Sequence, residues 1–217
     1  VNVPFNIPKW ELHEILALDA GTYFVSFILI SMMRYEPIAK RSTEVGNLIE
    51  RFKTGFAFLR KNPKILVFGI ASYMIFATLL ISTMNVFPIY TKNHLHAPAN
   101  TYAMSEMFYT LGALMAGITI HTIFRHISKA LAIILMTFTT AFLYVILAVT
   151  AIPMLFFVMS MLLGLTNAGT RILRMTYLFD VIPNQVFGRA GSIFFISNII
   201  FRLTFLSIFT LPFFHFS

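Results

Sequence analysis

Five polar or ionisable side chains lie inside long apolar stretches, where they are the residues best suited to bind a ligand or move an ion. They are Asn85, Glu106, Asn167, Arg171 and Arg202. Burying such groups is costly unless they meet a partner, water or a ligand, so each marks a candidate site. Glu106 is the only carboxylate among them. It is therefore the candidate for a group that takes up a proton when dry and releases it when hydrated or paired.

Glu106 and Arg202 are expected to form an ion pair. Arg202 lies about ten residues, or roughly 15 Å, into the last apolar stretch, so it reaches neither end easily. Glu106 lies about one turn inside the outer end of its own stretch, and its exposure at the outer surface is the alternative. In the fifth stretch, Arg171 is expected to lie deeper than Arg174, whose long side chain can extend to the inner surface.

Motifs of common enzymes and metal sites are absent from the sequence. His13 and Glu14 begin an HExxH pattern, but Ala17 stands where the second His would be. The chain has no cysteine, which excludes disulfides, thiolate nucleophiles and cysteine-based zinc sites. We therefore expect no catalytic residue, no metal and no bound cofactor.

The composition points to lipid as the surrounding medium. Of the 217 residues, 58% are hydrophobic and only 11% are charged, and the mean hydropathy is +0.82. Soluble domains carry about 25% charged residues. The net charge of +8 would suit nucleic acid only if the basic residues formed one folded face, but they lie between apolar runs. The expected partner is a lipid bilayer, not a nucleic acid.

Six apolar runs are each long enough to cross a bilayer, which takes about 20 helical residues. Lipid cannot satisfy bare backbone groups, so the spans must be helices. The runs are Leu12–Met33, Ile65–Tyr90, Tyr102–Phe124, Ala130–Val149, Met154–Phe179 and Ser192–Phe214.

Basic residues are concentrated in alternate connections, which orients the chain. We place Arg34–Lys64, Arg125–Lys129 and Asp180–Arg189 in the cytoplasm, because the opposite connections offer only Lys9 and Lys92.

The long connection has a pattern of its own, with apolar residues recurring at spacings of three and four. They are Val45, Ile49, Phe52, Phe56 and Leu59. This pattern predicts an amphipathic helix that lies on the inner membrane surface or packs on the helix bundle as a linker; both readings remain open.

Three motifs, in this order and spacing, resemble the major facilitator superfamily, in particular its drug- and siderophore-exporter branch, which includes macrolide-efflux and enterobactin-export proteins. LALDAGTYFVSFIL (16–29) resembles the sixth helix of that branch. GFAFLRKNPKIL (55–66) resembles its entry into helix seven, and VIPNQVFGRAGS (181–192) resembles its loop between helices ten and eleven.

The resemblance implies an all-α membrane protein of six transmembrane helices, the C-terminal half of that fold without its last helix. Residues 1–34 would hold helix six, residues 35–64 a cytoplasmic central loop, and residues 65–217 helices seven to eleven. The five candidate residues would fall on helices that line a central cavity.

The implied function is proton-coupled efflux of amphipathic small molecules from a bacterial cell across its cytoplasmic membrane, together with a missing N-terminal half. A non-transporting polytopic scaffold or partner-binding protein is the alternative.

The resemblance also implies a set of residues for the cytoplasmic gate. They are Gly117, Arg125 and Lys129 after helix eight, and Pro183, Gly188 and Arg189 after helix ten. Pro183 is expected to stop a helix and Gly188 to permit a tight turn. Arg189 is either a gate latch or a plain anchor at the lipid headgroups.

Small residues four apart predict close helix packing. The pairs are Gly112/Ala116, Ala113/Gly117 and Gly164/Ala168.

Overall fold

The computed structural model describes residues 11–33 and 47–209, which belong to two separate units. These residues are helical and include no strand. The first unit contributes α1 (Leu12–Met32). The second contributes α2 (Leu48–Lys61), α3 (Pro63–Ile81), α4 (Phe87–Asn93), α5 (Ala99–Ile123), α6 (Lys129–Val149), α7 (Pro153–Val181) and α8 (Asn184–Phe209). A π-helical turn, Ser82–Val86, joins α3 to α4.

Six helices are long and apolar enough to cross a membrane. They are α1, the continuous α3–α4 span Pro63–Asn93, α5, α6, α7 and α8. Within the described residues, this confirms the prediction of an all-helical chain with six spans. The cytoplasmic placement of the connections stays a prediction, and Lys9, Arg34, Lys40, Arg41 and Val45 lie outside the described residues.

Local chemistry sets the starts of the spans. Pro63 and Pro153 occupy the first positions of α3 and α7, where a missing N–H costs no helical hydrogen bond. Ser128 caps α6, because its Oγ accepts a hydrogen bond from the N–H of Leu131 at 3.3 Å. In α1, the N–H of Glu11 donates to Oε2 of Glu14 at 2.8 Å.

The hairpin between α7 and α8 is shorter than the sequence predicted. Only Ile182 and Pro183 separate the two helices, and Ile182 adopts the extended backbone that a following proline favours. The predicted tight turn at Gly188 is wrong, and the last helix begins before Ser192, where the apolar run starts. Gly188 lies inside α8, and no described glycine has a positive φ. Polar composition suggested a loop, but Pro183 alone ends α7, and the residues after it continue as helix.

Helix α2 packs on the bundle through one face. Leu59 is completely buried and joins a core cluster with Leu178 and Phe194. A Cβ added at Gly55 would come within 2.8 Å of the Cβ of Arg189, so α2 and α8 cross closely at this glycine. The linker-helix interpretation therefore holds for this face, whereas Ile49, Phe52 and Phe56 remain exposed.

The core of the second unit is built around α7, which packs on both α5 and α6, while α3 packs on α8. Apolar clusters fill both ends of this bundle, one around Phe87, Leu143 and Phe156 and another around Leu178 and Phe194. Between α6 and α7, the buried hydroxyl of Thr140 donates to that of Thr166 at 2.9 Å.

Candidate functional site

Two glycines bring α5 and α7 into backbone contact. A Cβ added at Gly112 would lie 1.8 Å from the carbonyl oxygen of Met161, and one added at Gly164 would lie 1.9 Å from that of Tyr109. The predicted seams at Gly112/Ala116 and Gly164/Ala168 therefore include true crossing points. Gly117 takes no part in the contact, since nothing lies within 4 Å of a Cβ placed there.

The same crossing brings together two of the predicted site residues. The Asn167 side chain on α7 donates a hydrogen bond to the hydroxyl of Tyr109 on α5. Glu106 lies three residues before Tyr109 on α5 and is half-buried. It borders a shallow apolar depression of about 450 Å³ that also includes Ala103 and Met107. A carboxylate and an amide–phenol pair thus lie within one turn of each other.

The π-helical turn holds a third predicted residue. Pro88 follows this turn and supplies no N–H, so the helix backbone loses a hydrogen bond there. The hydroxyl of Tyr102 on α5 donates to the carbonyl of Thr83 at 3.3 Å and so ties α5 to the turn. Asn85 is exposed, and its Nδ2 donates to the carbonyl of Ile81 at 3.2 Å. π-turns of this kind are frequent at functional sites.

The predicted extension of the Arg174 side chain to the inner surface is wrong, because this side chain is buried between α7 and α3, whereas the depth of the two arginines in the membrane stays a prediction. Arg174 is only 3% exposed. Its Nη1 donates to the carbonyl of Ser72 on α3 at 2.9 Å, and its guanidinium lies 4.0 Å from the ring centre of Tyr73. Its buried Nε has no hydrogen-bond partner in the described part of the chain. Arg171 is exposed on the neighbouring side of the helix.

The predicted ion pair between Glu106 and Arg202 does not form within residues 11–33 and 47–209. Arg202 is exposed on α8. Because α8 starts at Asn184, Arg202 lies 18 residues along the helix, or roughly 27 Å from its start. The estimate of ten residues was counted from the start of the apolar run at Ser192, and α8 begins before that run.

At the predicted cytoplasmic end, Lys129 at the start of α6 pairs with Asp180 near the end of α7. The sequence analysis assigned Asp180 to the connection after α7 and Lys129 to the connection after α5, so the pair joins two connections that were predicted to lie on the same side. Arg125 donates a hydrogen bond from Nε to Nε2 of the adjacent His126 at 2.7 Å. Pro183 forms the α7–α8 turn, and Arg189 packs against Gly55 of α2. Four of the six predicted gate residues therefore take part in these separate features, whereas nothing lies within 4 Å of a Cβ placed at Gly117 or Gly188.

The sequence analysis did not predict that two polar residues are buried in the bundle. Besides Arg174, Asn198 of α8 is 4% exposed, and its Nδ2 donates to the carbonyl of Tyr73 at 2.9 Å. The two side chains hold adjacent carbonyls of α3 from two different helices. The sequence did contain a signal for the position of Arg174. Thr166, Thr170 and Arg174 are spaced four residues apart, so they lie on one face of α7, and all three are buried.

Comparison with known proteins gives one match. The family profile described as Major Facilitator Superfamily matches residues 8–204. No curated protein and no solved structure matches the chain. The profile spans nearly all of the sequence and all but the last few described residues of α8. The six candidate spans and the helical fold agree with it, so the chain belongs to the major facilitator superfamily, a family of membrane transporters.

Proposed function

We propose that the chain is part of a proton-coupled exporter of amphipathic small molecules, with Glu106 as the proton-binding group. The observation that supports this is the position of Glu106 on α5. It is half-buried, borders an apolar depression and lies one turn from the Tyr109–Asn167 hydrogen bond. A carboxylate inside a membrane span is the group expected to exchange protons when its surroundings change from dry to wet.

The proposed cycle needs a second half of the transporter. The spans described here would be the C-terminal half, helices six to eleven, and an N-terminal half would complete the cavity. Rocking of the two halves about a site near the midplane would expose it first to one side and then to the other. Asn85, Asn167, Arg171 and Arg202 would contact substrate or ion during this cycle, and the proton gradient would supply the energy.

The chain is an integral, multi-pass membrane protein, and we place it in the bacterial cytoplasmic membrane. Its partners in this proposal are the bilayer, the N-terminal half and a small-molecule substrate, with no nucleic acid. Family membership supports transport over catalysis, and the proposal needs neither an enzymatic step nor a cofactor.

The test is proton flux in proteoliposomes that contain the full-length protein. A panel of amphipathic compounds would be added to one side while internal pH is recorded. At least one compound should drive a proton movement that stops in the Glu106→Gln protein. If no compound moves protons or accumulates against a gradient, the proposal fails and a scaffold role becomes the better explanation.

A further inference from the structure

Helix α2 carries an apolar stripe that the bundle leaves uncovered. Ile49, Phe52 and Phe56 are 67%, 43% and 47% exposed. At about 100° per residue they lie within an arc of roughly 60° on one side of the helix. Two large exposed aromatic rings on a short helix form an apolar patch, and such a patch marks an interaction surface.

The exposed stripe lies beside the face of α2 that packs on the bundle. Phe52 precedes buried Gly55 by three residues, and Phe56 precedes buried Leu59 by three. Each exposed ring is therefore rotated by about 60° from a buried position. Helix α2 thus contacts α8 with one face, and the adjacent face is exposed.

Basic side chains border the stripe on its other edge. Lys53 and Arg60 are both exposed, and they lie about 60° and 40° around the helix from Phe56. Rings flanked by lysine and arginine are typical of helices whose apolar face enters the acyl boundary while the basic groups meet lipid phosphates.

The position of α2 along the chain brings this surface to the membrane. Asn62 is the only residue between Lys61, which ends α2, and Pro63, which begins the α3–α4 span. Its backbone, with φ −121° and ψ 69°, breaks the helix and redirects the chain. The C-terminal end of a helix that is attached by one residue to the first turn of a span lies at or very near the bilayer surface.

We propose that the stripe of Ile49, Phe52 and Phe56, with Lys53 and Arg60, docks on a bilayer surface that carries anionic headgroups. The positive charges of Lys53 and Arg60 are complementary to the negative headgroups of such lipids, and the apolar side chains suit the acyl boundary. This inference needs only that the chain spans a membrane, and it holds for any cargo. Because α2 also crosses α8 at Gly55, docking would hold the start of α8 at the membrane surface.

The test uses nitroxide labels on single cysteines in the full-length protein, any cysteine outside residues 1–217 having first been replaced. Label positions are Phe56→Cys in the stripe and Thr54→Cys, an exposed residue about 160° away on the same helix. The protein is reconstituted in vesicles of zwitterionic lipid, with or without phosphatidylglycerol. We expect the Phe56 label to collide with oxygen and the Thr54 label with a water-soluble nickel chelate. The difference between the two labels in accessibility to oxygen and to the nickel chelate should be larger when phosphatidylglycerol is present.

A second variant tests the charge contribution. Each basic residue near an anionic surface contributes about 1 kcal/mol, so Lys53→Gln with Arg60→Gln should lower the docked-to-undocked ratio by about thirtyfold in anionic vesicles. Lys92→Gln, at the other end of the α3–α4 span, removes a charge far from α2 and should leave the ratio unchanged.

Two results would overturn the proposal. In one, the Phe56 and Thr54 labels are equally open to the nickel chelate in anionic vesicles, which would place the stripe in water. In the other, the Phe56 label is shielded from oxygen and nickel alike, which would place it against protein, such as the other half of the transporter or a second copy.

Discussion

Arg174 of α7 donates a hydrogen bond from Nη1 to the backbone carbonyl of Ser72 on α3, 2.9 Å away, while its guanidinium lies over the Tyr73 ring, 4.0 Å from the ring centre. The arginine is 3% exposed and meets no carboxylate in the described residues. The backbone of one helix and the face of an aromatic ring therefore accommodate this buried cation, and it links α7 to α3.

Replacing Arg174 with Lys should destabilise the bundle by about 1–3 kcal/mol. The shorter, more strongly hydrated ammonium group loses the planar contact with Tyr73 and the bond to Ser72. Arg171→Lys on the same helix is the matched control, and its effect should stay within about 0.5 kcal/mol because Arg171 is exposed. Thermal unfolding in detergent measures the change in stability of both variants. Equal shifts for the two variants would contradict the link between α7 and α3.

Gly112→Ala should weaken the α5–α7 crossing by about 2 kcal/mol or more, because the new methyl group would overlap the carbonyl oxygen of Met161. Gly117→Ala lies on the same helix with open space around it and should be neutral or stabilising by up to about 1 kcal/mol. Unfolding curves of the two proteins would show the difference. A stable Gly112→Ala protein would mean that the helices do not approach as closely as described.

The Lys129–Asp180 pair is partly exposed, with side-chain exposures of 37% and 53%. A double-mutant cycle with Lys129→Gln and Asp180→Asn should therefore give a coupling of at most about 1 kcal/mol, which high salt removes. Arg125→Gln in place of the lysine change should show no coupling to Asp180. A coupling that is large and insensitive to salt would indicate a buried pair and a different arrangement of the α6 and α7 ends.

Glu106→Gln should flatten the pH dependence of transport, since the amide cannot bind or release a proton in this range. Asp180→Asn, which removes a carboxylate near the end of its span, serves as the control and should keep the wild-type profile. Transport rates in proteoliposomes across a series of pH values provide the measurement. Identical profiles for Glu106→Gln and the unmodified protein would exclude Glu106 from coupling.

Single cysteines at positions 127 and 185 should react with a membrane-impermeant maleimide from the cytoplasmic side, and one at position 93 from the opposite side. Residues 1–217 contain no cysteine, so they give no background labelling. This follows from the basic residues of the connections after α5 and α7. Labelling of positions 127 and 185 from different sides would refute the orientation; position 40 belongs to the same predicted group but lies outside the described residues.

The sequence by itself determined that the described residues are helical and include six helices long and apolar enough to cross lipid. Long apolar runs with few charges leave the backbone no other way to satisfy its hydrogen bonds in hydrocarbon. The spacing of small residues also predicted that α5 and α7 would approach closely, and Gly112 and Gly164 do so. Glu106 and Asn167 were likewise selected as candidate site residues from their types and surroundings alone, and their functional roles stay predictions.

Only the tertiary structure decided which side of each helix faces a neighbour. A rotation of about 60° separates Arg171 from Arg174, and composition cannot distinguish the exposed position from the buried one. The same reason applies to Gly112 and Gly117, which differ only in the presence of a facing helix. The pairing of Lys129 with Asp180 joins residues that are far apart in sequence, and no local sequence pattern predicts it.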